Sequence, residues 1–198
     1  MTAAVLAGGR SSRMGEDKSL LKFGGRYLIE VLVERINPLF KRTFIVTNLP
    51  DSFSFLKIDK FNDLVKEPHS SLRGIYSAVE LSDSEYTFVF ACDMPFVNEK
   101  LIKYMISRYK GYDAVIPRSG ERHFEPLHAI YAKRCTGHLK RQIGKGELEI
   151  KAAFKGLNIC GIAPDEIRQF DPDMLSFFNI NTKDDYAKAV ELTKYGRA

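Results

Sequence analysis

Between Gly8 and Lys18 the chain reads GGRSSRMGEDK, a run of residue types suited to holding an anion. Gly8 and Gly9 let the backbone adopt unusual angles and approach a ligand closely, and successive N–H groups in such a turn form a concave anion site. Ser11 and Ser12 add hydroxyl donors, Arg13 a planar fork matched to phosphate oxygens, and Lys18 a mobile point charge. Two familiar phosphate-binding patterns fail. A P-loop needs its lysine directly after the second glycine, whereas Lys18 follows Asp17. The dinucleotide fingerprint needs glycine at its third and sixth positions, and counting from Gly8 these are Arg10 and Arg13. A solvated loop would account for Arg10 and Glu16, but it accounts poorly for Gly, Ser, Arg and Lys clustered behind an apolar run.

A second anchor is FACDMPFV, where Asp93 ends an apolar stretch and Pro95 prevents its continuation. A carboxylate there is costly unless paired, hydrogen-bonded or bound to a metal. Facing a phosphate loop it would repel the ligand, unless it holds Mg²⁺, which binds through one or two carboxylates together with substrate phosphates. The plainer reading is that Asp93 caps the next turn. His123, His128, Cys135 and His138 match no structural zinc spacing. Cys92, with no histidine near it in sequence, reads as packing.

The elements that must position these groups alternate. Residues 3–7 form a short apolar run, and 27–36 carry helical spacing through Leu28, Val31, Leu32 and Arg35. Residues 43–48 read as a strand and 72–82 as a helix. YTFVFAC at 86–92 is apolar on both alternating sets, as a central strand buried on both faces must be. Residues 99–109 read as a helix, 112–117 as a strand, and 61–67 as a strand with its exit. Past about residue 118 the rhythm loosens into a loop, strands at 128–132 and within 156–163, and a closing helix at 183–195 capped by Asn181 or Thr182. Phe177 and Phe178 read as core. This β-α-β-α order predicts an α/β fold in three layers, a mostly parallel sheet with helices on both faces. Parallel pairing of 3–7 with 86–92 would bring Gly8, Gly9 and Asp93 to one edge.

With 198 residues, 44% hydrophobic and 28% charged, the chain fits one domain over 1–198. Its net charge of +5 suits a polyanionic ligand, yet the basic residues form no block and no arginine–aromatic interleaving, so nucleic acid is not called for. Three widely spaced cysteines argue against a disulfide framework. The apolar start lacks a basic leader, and no run approaches a membrane helix, so a cytoplasmic protein with no membrane partner is expected.

With both anchors in view, the chain resembles the molybdenum cofactor guanylyltransferases of the nucleotidyltransferase family. L-A-G-G-x-S-x-R-M-G-x-D-K runs from Leu6 to Lys18, C-D-x-P matches Cys92, Asp93 and Pro95, EPLHAIY at 125–131 resembles a P-L-x-A-L-Y segment, and NINTKDDY at 179–186 resembles a closing N-x-N-T-x-x-D. The resemblance implies a single Rossmann-like domain of the nucleotide-diphospho-sugar transferase type, with a nucleotide-binding half over about 1–110 and an acceptor half over 111–198. It implies GTP and molybdopterin as substrates and Mg²⁺ as cofactor. Leu6, Ala7, Gly8 and Gly9 would line the nucleotide, Arg13 and Lys18 would hold the triphosphate, and Asn48 would face the guanine or ribose. Asp93 would bind the metal, and Asn179 or Asn181 would lie across the site near the metal or the pterin. Glu67 stands where the family carries aspartate, and SSLRG replaces G-P-L-x-G, so GTP, CTP and ATP all remain open. A monomer in transient contact with molybdoenzyme maturation proteins is expected. The rivals are a cytidylyltransferase acting on molybdopterin or a sugar or polyol phosphate, a non-catalytic nucleotide-binding subunit, and a basic nucleic-acid-binding protein.

Overall fold

In this computed structural model the described residues are 1–8, 20–65, 67, 70–121 and 123–194. Of the anticipated site residues, Gly9, Arg13 and Lys18 lie outside them.

The frame is a seven-stranded sheet in the order β5-β4-β1-β6-β8-β7-β9. Its first strand, β1 (Thr2–Leu6), is followed by a two-stranded hairpin, β2 (Lys22–Phe23) and β3 (Arg26–Tyr27), which leads into helix α1 (Leu28–Ile36). Strands β4 (Thr43–Val46) and β5 (Asp59–Phe61) precede α2 (Ser71–Leu81). Then come β6 (Tyr86–Ala91), α3 (Glu99–Ser107), β7 (Ala114–Pro117) and β8 (His128–Ala132). Two helices, α4 (Thr136–Gly144) and α5 (Ile150–Ala153), lead to β9 (Ile159–Ile162), α6 (Pro164–Arg168) and α7 (Lys183–Lys194).

β6 occupies the centre because every one of its six residues is apolar or hydroxyl-bearing, and all are buried. It pairs in parallel with β1, Leu6 opposite Ala91, and antiparallel with β8, Phe90 opposite His128. Alternation sends Phe88 and Phe90 into a core shared with Ile29, Leu32 and Ile36 of α1 and Leu101, Ile102 and Met105 of α3. Val89 faces the other way, into a core with Leu72, Ile75 and Val79 of α2 and Leu139 and Ile143 of α4. The three layers anticipated from the alternation are therefore present.

Two expectations shift. The strand placed at 61–67 is the three-residue β5, which ends at Phe61; the polar Asp59 and Lys60 hide an edge strand from pattern reading. The hairpin at 22–27 and helices α4, α5 and α6 carry too short or too polar a pattern to be seen beforehand. Helix starts follow side-chain chemistry. Asn98 Oδ1 accepts from the N–H groups of Lys100 and Leu101 at 2.9 and 3.1 Å, and Ser70 Oγ accepts from Arg73 N–H at 3.3 Å. Of the two caps proposed for α7, Thr182 serves: its Oγ1 accepts from Asp185 N–H at 3.1 Å while Asp185 Oδ2 accepts from Thr182 N–H at 2.8 Å.

Candidate active site

Strands β1, β4, β5, β6, β7 and β9 run in one direction and only β8 runs against them. Their carboxyl ends therefore share one edge with the amino end of β8, the edge where open α/β sheets bind ligands. Across that edge stand Asn48 beyond β4, Ala7 and Gly8 beyond β1, Asp93 beyond β6, and Glu125 and Pro126 just before β8. Parallel pairing of β1 with β6 brings Gly8 and Asp93 out side by side.

On the β1 side, Ala7 is buried and its N–H donates to the Val46 carbonyl at 3.0 Å. Leu6 accepts from Cys92 N–H at 3.2 Å and leans on α2, where a Cβ at Gly74 would lie 2.9 Å from Leu6 Cδ1. Gly74 is thus the close approach that lets α2 pack against the end of β1. Gly8 is exposed, and a Cβ built there meets nothing within 4 Å. Asn48 follows the buried Thr47, whose N–H is held by the Phe61 carbonyl at 2.9 Å. Its Oδ1 is buried and accepts no hydrogen bond among the described residues. Glu67 is exposed in a bend.

On the β6 side, Asp93 is half-buried in the turn after the strand. Its carbonyl oxygen accepts from Ile180 N–H at 3.1 Å, which brings the NINT segment to the site. Asn179 is half-buried there; its Nδ2 donates to the Phe177 carbonyl at 3.3 Å, and its Oδ1 is buried without a partner among the described residues. Asn181 is exposed, with its N–H bonded to Asp185 Oδ2 at 3.0 Å. A small apolar cluster of Leu28, Phe96, Ile180 and Ala189, flanked by Leu21 and Tyr186, fastens these pieces together. The Tyr186 hydroxyl adds a bond to the Lys22 carbonyl at 2.8 Å, tying α7 to the β2–β3 hairpin.

His128 does not take part in a metal cluster. It is fully buried, edge-on to Phe88, Phe90 and Phe177, and burial pushes its pKa down to about 3. His138 Nε2 pairs with the Ala153 carbonyl at 2.8 Å, and Cys135 is buried, its thiol pushed up to about 12 by desolvation. Among the described residues no three His, Cys, Asp or Glu side chains converge as a metal-binding group, and no helix there is long and apolar enough to cross a membrane. The three cysteines are unpaired with one another. Phe177 and Phe178 pack as core, as expected.

Glu125, which opens the EPLHAIY segment and has no role assigned from the motif, is held in the connection between β7 and β8. Glu125 N–H donates to the Pro117 carbonyl at 2.9 Å, Ser119 Oγ donates to the Glu125 carboxylate, and desolvation raises that carboxyl's pKa. The signal was present in a carboxylate directly before a proline and a buried strand.

A seven-stranded, mostly parallel α/β sheet, with Gly8 following its first strand and Asp93 following its central strand at the same edge, has the fold of the nucleotidyltransferases. The chain belongs to the MobA-like NTP transferase domain family, which it matches over residues 3–157. It is 40% identical over 195 residues to the "Probable molybdenum cofactor guanylyltransferase" of Natranaerobius thermophilus, covering 96% of this chain and 94% of that protein. It is 34% identical over 199 residues to the "Molybdenum cofactor guanylyltransferase" of Desulfosudis oleivorans, covering 100% and 98%. Among solved structures, molybdopterin-guanine dinucleotide biosynthesis protein A from Archaeoglobus fulgidus superposes with a TM-score of 0.86 at 32% identity, covering 98% of this chain and all of that one.

Proposed function

We propose that the protein transfers GMP from GTP to the terminal phosphate of molybdopterin, releasing pyrophosphate and forming the guanine dinucleotide cofactor. The observation that carries this reading is the order of groups along one sheet edge: Asn48, Gly8 and Asp93 on consecutive strands β4, β1 and β6, in a chain similar along its length to proteins named for that activity. On this reading the whole chain is one catalytic domain. Residues 1–110 hold the nucleotide and 111–198 the acceptor. It works as a cytoplasmic monomer that meets molybdoenzyme maturation proteins transiently.

The open space at Gly8 admits phosphate oxygens close to the backbone, with Gly9, Arg13 and Lys18 completing the triphosphate cradle. The Asn48 carbonyl oxygen accepts from an N–H of the base or a ribose hydroxyl. The donor set around Asp93 suits a hard divalent cation: one carboxylate, with the buried Asn179 Oδ1 on the segment bonded to the Asp93 backbone. Mg²⁺ held there would neutralise phosphate charge, and substrate oxygens would fill the coordination that the protein leaves open. An acceptor phosphate is already an anionic nucleophile at neutral pH, so no general base is required. The chain's own work is to place two polyanions in line and to stabilise the departing pyrophosphate through Arg13 and Lys18.

A thermal-shift panel tests the nucleotide half of this reading. GTP with Mg²⁺ should raise Tm more than CTP, ATP or UTP with Mg²⁺. Equal or greater stabilisation by CTP would favour a cytidylyltransferase instead.

A further inference from the structure

Glu125 stands on the acceptor side of Asp93, and nothing in the nucleotide cradle uses it. The Ala91 N–H donates to the Leu127 carbonyl at 3.0 Å. Two residues past Ala91 comes Asp93, and two residues before Leu127 comes Glu125, so both carboxylates leave the same sheet edge from adjacent antiparallel strands. Adjacent strands are about 4.8 Å apart. The carboxylate of Glu125 is drawn further across, toward the exit of β7, by Ser119 Oγ. Asn48 and Gly8 lie on the opposite side of Asp93, on β4 and β1.

A carboxylate has room for about four hydrogen bonds. Here the side chain of Glu125 has one donor, the Ser119 hydroxyl, among the described residues, although desolvation opposes its charge. A half-buried, held carboxylate that accepts one hydrogen bond among the described residues is suited to a planar pair of N–H donors. The edge of a 2-amino-4-oxopyrimidine offers that pair in its ring N–H and its amino group. Both guanine and a pterin carry such an edge, and position separates them. With the acceptor phosphate at Asp93, the acceptor's fused rings would extend over β8 and β7, and the guanine would lie over β4.

Resting on the guanylyl-transfer reading above, we propose that Glu125, held by Ser119, is the residue that recognises the amino-pyrimidinone edge of the acceptor's pterin.

Direct titration with 6-hydroxymethylpterin monophosphate tests this without requiring turnover. The matching lumazine, with a carbonyl in place of the 2-amino group, is the control, and GTP is titrated in parallel. The wild-type protein should bind the pterin more tightly than the lumazine. Glu125→Gln and Glu125→Ala should weaken pterin binding about tenfold or more, shrink the pterin-over-lumazine preference and leave GTP binding unchanged. Ser119→Ala should weaken pterin binding less. If the alanine variant fails to fold, the near-isosteric glutamine variant still reports. Unchanged pterin affinity in a folded Glu125 variant would overturn the proposal, as would a loss confined to GTP, which would make this residue a guanine reader. Loss of the pterin preference in Glu125→Gln, together with no GMP transfer by the wild-type protein, supports the recognition residue and removes the transferase reading. GMP transfer by the wild-type protein, with both Glu125 variants binding pterin normally, does the reverse.

Discussion

The backbone carbonyl of Asp93 accepts a hydrogen bond from the Ile180 N–H at 3.1 Å, joining the turn after the central strand to a segment near the chain's other end. Asn179 and Asn181, on either side of Ile180, thereby flank the Asp93 turn. Ile180 itself is fully buried with Leu28, Phe96 and Ala189. The bond and the apolar cluster act together, so the two halves of the site are held by packing as well as by chemistry.

Truncating that anchor should have a structural and a functional cost. Ile180→Ala removes a fully buried side chain and should destabilise the fold by about 2–5 kcal/mol. Denaturant melts would measure this. At a temperature where the variant is folded, transfer activity should also fall, because Asn179 and Asn181 lose their fixed position beside Asp93.

Asp93→Ala removes the carboxylate from the edge while leaving the Ile180 bond to the Asp93 carbonyl intact. Its melting temperature should stay close to wild type while GMP transfer falls by about a hundredfold or more. Lys18→Ala should behave similarly. Activity within a few-fold of wild type in either variant would remove that residue from the mechanism.

Gly74→Ala separates stability from binding. A helix-interior alanine gains roughly 1 kcal/mol over glycine, but its Cβ would fall 2.9 Å from Leu6 Cδ1 and must push that side chain aside. The two effects offset, so Tm should change little. The displaced Leu6 lies just before Ala7 and Gly8, so KM for the nucleotide should rise. An unchanged KM would show that the contact of α2 with Leu6 does not affect nucleotide binding.

His128 gives the fold an acid-sensitive point. Its pKa is lowered from 6.5 to about 3 by burial among Phe88, Phe90 and Phe177. Between those values the unfolded chain binds a proton that the folded chain does not, so stability falls as pH drops below about 6.5, by up to about 1.4 kcal/mol per pH unit. His128→Leu should flatten this limb of the stability–pH curve, measured by urea midpoints at pH 4 to 7. An equally steep limb in the variant would assign the effect to other groups.

Much of this architecture is legible from residue patterns. The central strand declares itself because Tyr86–Ala91 is apolar on both faces, and α1, α2 and α3 because their apolar residues recur at helical spacing. The direction of β8 is not legible: the alternation in HAIYA is the same in either sense, and its antiparallel pairing with β6 and β7 is a tertiary fact. The edge strand β5 is missed because Asp59 and Lys60 face solvent or half-burial rather than core. Asp93 stands out in the sequence by its placement after a strand, whereas its bond to Ile180 is a tertiary fact with no local signal. Glu125 has a local signal in its place before a proline and a strand, but its bonds to Ser119 and to the Pro117 carbonyl exist only in the folded turn.

The central claim is that this edge joins a guanine nucleotide to a pterin phosphate. Incubating the purified protein with molybdopterin, Mg²⁺ and GTP labelled at the α-phosphate tests it most directly. Label should appear in a pterin dinucleotide, with one pyrophosphate released per product and little transfer from labelled CTP. No labelled dinucleotide from GTP, or preferential transfer from CTP, would contradict it.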